Sequence, residues 1–495
     1  MLWVAGTFAY GPMVRSRARP MAQVTGRNPS ARAATINGAM RPAPTDSRLI
    51  LGGAGWSRVA IVAVVLSPIL DRYVVTGLLP SELGTATHFV SEALLLVVAL
   101  ALGVVAWREG RLLAALGHPV TWALVAFAAV AVISALVNAV PVDVAVVGLV
   151  FTLDAATLFF LPRLVGFSLR QALLAVGAFM LLTITAALVA LAQALLSPDI
   201  LGLAVVTGRF GEVYRLASFI GDPNVLGAFL AAAAPFALFA GTSLSGRARW
   251  LAIGIAFVLL LALWLTFSRG SWLAMGLGAT LVIAVLDRRT LLLTLAILAL
   301  AFGTAIVMPR DLLLGLDGSR GRPNLIDSTV GRVDTIGDGR DLRTLFVINA
   351  LPIIADHPLL GVGPGRYGGA AADLFGTPVY AEYGTDALLT DPQQRTVDNF
   401  WLHLVVETGI LGAVAFLAAA VMPGLRVLAA ARKATGRRRI VLGGTAAATA
   451  ALVVSSISTM LLEANSVGFL FWFLLGVGML LCEGAPAQLT RPRAS

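Results

Sequence analysis

The feature that most constrains this chain is its series of long apolar stretches, several of which reach the roughly 20 residues that a helix needs to cross a bilayer. Only 13% of the 495 residues are charged and the mean hydropathy is +0.89. An ordinary soluble domain has about 25% charged residues. The sequence therefore predicts an all-α polytopic membrane protein with about 12 transmembrane helices. The stretches are 59–79, 88–106, 119–138, 143–162, 171–196, 223–242, 250–267, 272–286, 290–308, 399–423, 440–461 and 465–482.

The charge distribution predicts how these helices are oriented. If the N-terminus lies in the cytoplasm, every short loop on that side carries at least two arginines, and few of the 26 acidic residues fall there. Short cytoplasmic loops are enriched in Arg and Lys. The formal charge of +10 therefore indicates orientation and not binding to nucleic acid. We expect a multi-pass protein of the cytoplasmic (inner) membrane with both termini in the cytoplasm.

The same topology divides the chain into five regions. The regions are a basic cytoplasmic tail at 1–48, helices 1–9 within 49–308, one large extracytoplasmic loop or cap at 309–398, helices 10–12 within 399–482 and a cytoplasmic tail at 483–495. The first tail is predicted to be disordered and to contact anionic membrane lipid. Its basic residues follow its short apolar run, which is not the order of a signal peptide. Translation from Met21 or Met40 is the alternative.

Two boundaries carry specific expectations. Asp71 and Arg72 interrupt the first stretch, so a shorter helix that ends near Leu70 is the alternative there. Within the large loop, 341–354 has the apolar spacing of an amphipathic helix, which Pro352 should limit.

Several functional classes are excluded by missing residues. Cys482 is the single cysteine, so neither an internal disulfide nor a cysteine metal cluster can form. Lys433 is the single lysine and does not lie in a Gly-Lys-Ser/Thr sequence, which excludes a Walker A loop. The chain has neither a His-Glu-x-x-His nor an Asp-x-Asp motif. We expect no cofactor and no metal.

Twelve basic residues remain for the outer side, where the charge rule disfavours them. Arg269 lies in a short turn between two apolar stretches, just before the next helix. A guanidinium can bind two phosphate oxygens at once, and a helix N-terminus also attracts an anion. We therefore predict an anion site at Arg269. The alternative is an Arg that only anchors the helix at the interface.

A second outer segment combines a helix start with unexplained polar residues. Asp222 is the predicted N-cap and Pro223 the first residue of the next helix. Neither role explains Arg215 or Asn224, which should face the same outer surface. Farther along the chain, the glycine-rich segment 361–368 contains Arg366 and predicts a tight turn whose amides or Arg366 approach a ligand; it is equally consistent with a plain turn.

The tenth stretch begins with a row of polar residues. Asn399, His403 and Glu407 are spaced by four and share one helix face. An acid in the apolar layer is by default a functional candidate, although a hydrogen bond to a neighbouring segment is the alternative for Glu407. Asp398 lies at the water boundary, where a general base for an external substrate can act. Gly409 and Gly412 should let helices pack closely.

Four of these segments, in order, resemble the O-antigen ligase/polymerase family of bacterial membrane glycosyltransferases. They are 215–224 with its Gly-Asp-Pro-Asn ending, Ser268-Arg269-Gly270, 356–365 (Asp-His-Pro-Leu-Leu-Gly-Val-Gly-Pro-Gly), and 398–412, which starts Asp-Asn and ends Glu-Thr-Gly-Ile-Leu-Gly. The resemblance covers about residues 60–480.

The resemblance implies a metal-independent transfer of a glycan from undecaprenyl diphosphate to a glycan, lipid or protein acceptor outside the cytoplasmic membrane. By resemblance, Arg215 and Arg269 bind the diphosphate and act in catalysis, and Asp398 takes the place of the family's usual catalytic His. Asn224, Arg366, Asn399, His403 and Glu407 are the expected substrate-binding residues. His403 or Glu407 is the alternative base.

Two other functions stay open on the sequence. A secondary transporter or flippase of an anionic solute or a lipid-linked glycan is one, since twelve spans fit transporters; against it, no duplicated halves are evident and the charges lie outside the apolar layer. A non-catalytic component of envelope assembly is the other.

Overall fold

The computed structural model of the chain describes residues 53–69, 90–108, 110, 112–196, 200, 206–207, 214–307, 342–388, 396–463 and 465–483. The predicted tail at 1–48, residues 70–79 of the first apolar stretch, residues 309–341 of the large loop and the tail beyond Glu483 lie outside the described residues. The predictions for those segments stay predictions.

The described residues form a helical bundle. Its α-helices are α1 (Gly53–Ile69), α2 (Val90–Arg108), α3 (Leu112–Leu116), α4 (Pro119–Val137), α5 (Val142–Leu153), α6 (Leu161–Val165), α7 (Leu169–Leu195), α8 (Pro223–Ser243), α9 (Gly246–Leu265), α10 (Arg269–Leu273), α11 (Thr280–Leu286), α12 (Arg288–Val307), α13 (Leu342–Asp356), α14 (Ala370–Phe375), α15 (Pro378–Glu382), α16 (Phe400–Ala431), α17 (Gly436–Ser455) and α18 (Asn465–Cys482). A π-helix at Ala274–Ala279 joins α10 to α11, and 3-10 turns lie at Ala155–Phe159, Ser218–Ile220 and Thr385–Leu388. Two-residue strands, β1 (Val206–Thr207) and β2 (Tyr214–Arg215), pair antiparallel.

The helices confirm a polytopic membrane protein. Among the described residues, nine helical segments are long and apolar enough to cross a membrane. Two shorter apolar segments, Arg58–Ile69 and Ser466–Cys482, and helix α2 lie over three further predicted stretches. The count of twelve helices stays a prediction.

Capping residues define where two of the helices begin. Ser168 begins α7 with a capping box that includes Gln171. Asp222 caps α8 as predicted, because its Oδ1 accepts from the amides of Asn224 at 2.7 Å and Val225 at 2.9 Å. Pro223 is the first helical residue, where its missing N–H costs nothing.

The helix predicted at 341–354 is present as α13, but Pro352 does not limit it. Helix α13 runs through Pro352 to Asp356. A proline removes one hydrogen bond and kinks a helix, but the next turn can still close. Here the turn closes through the amide of His357, which donates to the carbonyl of Ile353 at 2.9 Å.

The helices α8 and α17 are the two most enclosed of the nine long segments, and they pack against each other. Small residues let them approach closely. A Cβ built on Gly444 would lie 2.2 Å from the ring of Phe236, and one built on Gly443 would lie 2.9 Å from the ring of Phe239. Phe236 and Phe239 therefore occupy the space that the two glycines leave.

Polar contacts separate the loops into two sides. On one side, Arg163 and His118 face Glu483, and Arg439 pairs with Asp287 at 2.8 Å. All five residues lie in or beside loops that the charge pattern assigns together to the cytoplasm. The residues predicted to form the outer site meet at the opposite helix ends, so the structure agrees with the predicted grouping of the loops.

Candidate functional site

Arg215 and Asn224 lie together at the beginning of α8. Nη2 of Arg215 donates to Oδ1 of Asn224 at 2.7 Å, and the hydroxyl of Ser268 donates to the same oxygen at 3.1 Å. Nε of Arg215 donates to the carbonyl of Thr266 at 3.4 Å. These contacts bring Arg215 to the turn that leads directly into Arg269. Two predicted segments that are far apart in sequence therefore meet.

Arg269 is the first residue of α10, and Ser268 is its N-cap residue. The next residue, Gly270, packs so tightly that a Cβ built on it would lie 1.7 Å from Oγ of Ser458. Ser458 belongs to the connection between α17 and α18. The backbone beside Arg269 is thus held against that connection, and the half-buried Arg269 lies at the helix end predicted for it.

Backbone strain marks the surroundings of three predicted arginines. Among the described residues, the non-glycine residues with positive φ are Ala139 at 47°, Ser218 at 53° and Phe267 at 53°. Ser218 lies three residues after Arg215, and Phe267 two residues before Arg269. The carbonyl of Ala139 accepts from Nη2 of Arg366 at 3.5 Å. Strained backbone persists only where its surroundings enforce it, and it clusters at functional sites.

Asp398 forms an ion pair whose arginine partner the sequence did not specify. Nη2 and Nε of Arg343 both donate to Oδ2 of Asp398, at 3.0 and 3.1 Å. Arg343 lies on α13, within the predicted amphipathic helix. Both side chains remain more than a third exposed, which keeps Asp398 accessible from outside the bundle. Asn399 next to it is the N-cap of α16, since its Oδ1 accepts from the amide of Leu402 at 3.1 Å.

Helix α16 is broken at Gly409, whose φ of 63° and ψ of −173° are not helical. Segment 358–363 of the large loop replaces the lost helical bonds. The amides of Val362 and Gly363 donate to the carbonyls of Val406 and Glu407, each at 2.9 Å. On the other side of the break, the amide of Ile410 donates to the carbonyl of Pro358 at 3.0 Å. Two further motifs of the resemblance are thus joined through their backbones.

The contacts at this break exclude four amides of the glycine-rich segment from a ligand site, and the approach of Arg366 to a ligand stays a prediction. The amides of residues 362, 363, 365 and 367 bind groups of α16, so they are used inside the protein. The segment therefore acts as a packed turn, and its amides do not present a phosphate cradle. Arg366 alone reaches outward from it, toward Ala139 at the end of α4.

His403 and Glu407 share one helix face, as predicted, and both are buried. Nε2 of His403 lies 3.7 Å from Oε2 of Glu407 and 3.8 Å from Oε2 of Glu463. Nδ1 of His403 bonds the carbonyl of Tyr367. Glu407 accepts from the amides of Gly365 and Tyr367. The geometry favours the internal alternative for Glu407 over direct contact with substrate.

Two glutamate positions show what sequence reasoning found and missed. Glu407 was a candidate because it lies within an apolar stretch. Glu463 was missed, although it is an acid between two apolar stretches and the same rule applies to it. Within the described residues, no three His, Cys, Asp or Glu side chains are arranged to hold a metal ion.

Tyrosine side chains near the loop are poor bases. Burial raises the pKa of Tyr367, whose hydroxyl donates to the carbonyl of Phe346 at 3.1 Å, and it also raises the pKa of Tyr380. Burial and the neighbouring Asp356 raise the pKa of Tyr383 to about 12. These phenols stay protonated at neutral pH, so they do not act as bases on this side.

The residues around Arg269 and the residues around Asp398 both contact the connection between α17 and α18. Gly270, beside Arg269, contacts Ser458. The amide of Phe400, two residues after Asp398, donates to the carbonyl of Ser456 at 3.0 Å. This connection therefore contacts both the backbone beside Arg269 and the start of α16.

Part of the chain matches a known protein family. Residues 254–417 match the family model described as O-antigen ligase. The matched segment contains Arg269, Arg343, Asp398 and both sides of the break at Gly409, whereas Arg215 and Asn224 precede it. No curated protein matches the chain. The family match supports the assignment of the chain to the O-antigen ligase/polymerase family.

Proposed function

We propose that this multi-pass membrane protein, as a member of the O-antigen ligase/polymerase family, transfers a glycan from undecaprenyl diphosphate to an acceptor on the outer face of the cytoplasmic membrane. The acceptor is another glycan, a lipid or a protein. The observation that carries the proposal is the hydrogen-bonded network of Arg215, Asn224 and Ser268, which joins Arg215 to the turn before Arg269.

In this proposal, an acceptor hydroxyl attacks the anomeric carbon of the lipid-linked sugar. The new glycosidic C–O bond forms as the bond between the sugar and the diphosphate breaks, and undecaprenyl diphosphate leaves with the bonding electrons. Arg215 and Arg269 stabilise the charge that grows on the diphosphate. Fixed cations that face a developing charge are among the largest contributions to catalysis, and here they take the place of a metal.

Asp398 orients the acceptor hydroxyl or removes its proton. Both bonds from Arg343 end on Oδ2, so the proposal assigns Oδ1 to the acceptor. General base catalysis is worth about 10²–10⁴ in rate. Asn224 holds Arg215 toward the donor, and Arg366 is proposed to contact the glycan. Asn399, His403 and Glu407 serve the reaction indirectly, by fixing the start of α16.

One observation bears on the transporter alternative. Discontinuous transmembrane helices are typical of secondary transporters, where the break leaves backbone groups for the substrate. At Gly409 the break is occupied by segment 358–363 of the chain itself, whose amides donate hydrogen bonds to the carbonyls of Val406 and Glu407. The break therefore favours an anchored outer loop over a transport site.

The decisive experiment is transfer of a labelled glycan from its undecaprenyl diphosphate carrier by the purified protein in liposomes. We expect Arg269→Ala and Asp398→Ala each to lower the rate at least 100-fold. Arg170→Ala and Asp373→Asn are matched controls, because both residues are exposed and neither is a candidate site residue. Full activity in either site variant removes that residue from the mechanism, and uptake without transfer identifies a transporter.

The proposed orientation can be tested with the single cysteine. In a Cys482→Ser background, Arg170→Cys lies on the proposed cytoplasmic side and Glu382→Cys on the outer side. A membrane-impermeant maleimide applied to intact cells should label the variant at 382 and not the one at 170. The opposite pattern would invert the topology and remove the outer-face reaction.

A further inference from the structure

Glu463 is a buried acid in the connection between α17 and α18 that belongs to none of the motifs. Its side chain is 5% exposed. Oε1 accepts from the amide of Ala370 at 2.9 Å, whereas Oε2 faces His403 and has no hydrogen-bond partner among the described residues. A buried carboxylate is costly unless it is compensated. The burial of the Glu463 carboxylate must therefore be compensated by contacts with other segments of the chain.

The compensation comes from a cluster that Glu463 forms with Glu407 and His403. Nε2 of His403 faces both carboxylates, at 3.7 and 3.8 Å. Glu407 accepts from the amides of Gly365 at 2.9 Å and Tyr367 at 2.7 Å. With the amide of Ala370 included, three backbone N–H groups of segment 365–370 donate hydrogen bonds to the two carboxylates. The cluster is the anchor of this segment.

Gly369 lets the segment close over the cluster. Its backbone, with φ −92° and ψ 179°, is one that any residue can adopt. However, a Cβ at this position would lie 2.6 Å from Cε1 of His403 and 2.8 Å from Oε1 of Glu463. Glycine is therefore required at position 369 for steric reasons, because a larger residue would clash with the side chains of His403 and Glu463.

The anchored segment in turn holds the chain beside Asp398. The carbonyl of Gly368 accepts from the amide of Val397 at 2.9 Å. A Cβ on Gly368 would lie 2.4 Å from the side chain of Val397, so the two residues are packed against each other. A continuous path of contacts therefore runs from Glu463 through Ala370 and Gly368 to the residue that precedes Asp398.

We propose that Glu463 is a positioning residue for Asp398, which acts by anchoring segment 365–370. The expected effect of Glu463 on the reaction rate rests on the proposed function. Its expected effect on segment 365–370 rests on the structure alone. The diphosphate site at Arg215 and Arg269 is held by other contacts. Loss of Glu463 should therefore disturb the acceptor side of the reaction and leave binding of the donor intact.

Two measurements on the full-length protein test this proposal. Hydrogen exchange of the amides of Ala370 and Val397 should accelerate in Glu463→Ala and in Gly369→Ala, which inserts a methyl group against Glu463 without removing a charge. In glycan transfer, both variants should lose about 100-fold in kcat with an unchanged KM for the lipid-linked donor, as expected when a reacting group is misplaced by about 1 Å.

Conservative and remote substitutions separate positioning from general damage. Glu463→Gln keeps an oxygen for the amide of Ala370, and its NH₂ group can donate to Nε2 of a neutral His403. It should therefore recover most of the kcat and the slow exchange. Glu382→Gln, at an exposed residue of α15, should match the wild type in both measurements.

The outcomes distinguish this proposal from the proposed function. Wild-type exchange in Glu463→Ala or Gly369→Ala overturns the positioning role, and so does accelerated exchange with a normal kcat. A loss of donor binding in these variants also contradicts it. If the wild-type protein transfers no glycan, the proposed function fails, and the exchange of Val397 alone then decides whether Glu463 fixes the chain beside residue 398.

Discussion

Arg343 donates two hydrogen bonds to a single oxygen of Asp398, from Nη2 at 3.0 Å and from Nε at 3.1 Å. The pair links helix α13 of the large loop to the residue that precedes the N-cap of α16. A carboxylate held by two bonds has a fixed direction, which suits a group that must orient an acceptor. The pair is also partly exposed, so we expect it to contribute to geometry more than to stability.

This relationship predicts a coupled pair of substitutions. Asp398→Ala should lower glycan transfer by about 10²–10⁴, and Arg343→Ala should lower it less, because the carboxylate remains but turns freely. In the Asp398→Ala background, Arg343→Ala should cause no further loss, as for residues that act as one unit. Initial rates of the four proteins measure the coupling. Additive losses would show that Arg343 acts elsewhere.

The same pair should matter little for folding. Exposed ion pairs are worth about 0–1 kcal/mol. Thermal unfolding of Arg343→Ala in detergent should therefore lie close to that of the wild type. A large drop would assign Arg343 a structural role and weaken the interpretation of its kinetics.

Asn224 gives a second prediction, since its Oδ1 accepts from both Arg215 and Ser268. Asn224→Asp keeps both hydrogen bonds but places a carboxylate on Arg215, where it competes with the diphosphate. We expect the KM for the lipid-linked donor to rise about tenfold or more, in line with hydrogen bonds to charged groups. Asn349→Ala on α13 is the control. An unchanged KM in Asn224→Asp would place the diphosphate away from Arg215.

Hydropathy and charge were sufficient to predict the bundle and the grouping of its loops, because crossing a membrane imposes length and composition on each helix. Local chemistry was sufficient for Asp222 and Pro223 at the start of α8, and helical periodicity for His403 and Glu407 on one face. Each of these signals lies within a few residues of the feature that it predicts.

The break in α16 could not be predicted in this way. Gly409 was expected to let helices pack, as glycine commonly does in membranes. The sequence does not distinguish a glycine that has a positive φ from one that only allows close packing. In addition, the segment that fills the break lies about 50 residues earlier in the chain. The pairings of Arg343 with Asp398 and of Glu463 with His403 could not be predicted for the same reason, since each pair forms only through the fold.

Gly409 itself supports a third prediction. Its φ and ψ lie in a region that is nearly exclusive to glycine, and a Cβ there would lie 2.3 Å from the backbone of Leu359. Gly409→Ala should therefore destabilise the protein by at least about 1–3 kcal/mol and release segment 358–363. The measurements are thermal unfolding and hydrogen exchange of Val362 and Gly363.

The matched control for Gly409 is on the same helix. Outside the backbone of its own helix, the nearest described atom to a Cβ built on Gly424 is Cδ2 of Leu475, at 4.0 Å. Gly424→Ala should be neutral or stabilise by up to about 1 kcal/mol, because alanine is the better helix former. Equal effects of the two substitutions would contradict the break at Gly409.

The fourth prediction concerns pH and the N-terminal end of α4. His118 is the N-cap of this helix, and its Nδ1 accepts from the amide of Val120 at 3.2 Å. Burial lowers the pKa of His118 to about 4, and the nearby Arg163 and Arg426 act in the same direction, whereas Glu483 opposes them. Protonation of Nδ1 also breaks the cap. The folded protein therefore favours the neutral ring.

Stability should accordingly fall as the solution is acidified through this window. Between pH 6.5, where a histidine of the unfolded chain titrates, and about pH 4, the unfolded state binds more protons than the folded state, so unfolding becomes easier as pH falls. His118 accounts for at most about 3 kcal/mol of this change. Thermal unfolding from pH 7 to pH 4.5 measures the slope. His118→Asn keeps a capping side chain without a titrating ring and should flatten the slope, and a variant with the wild-type slope would show that another group controls it.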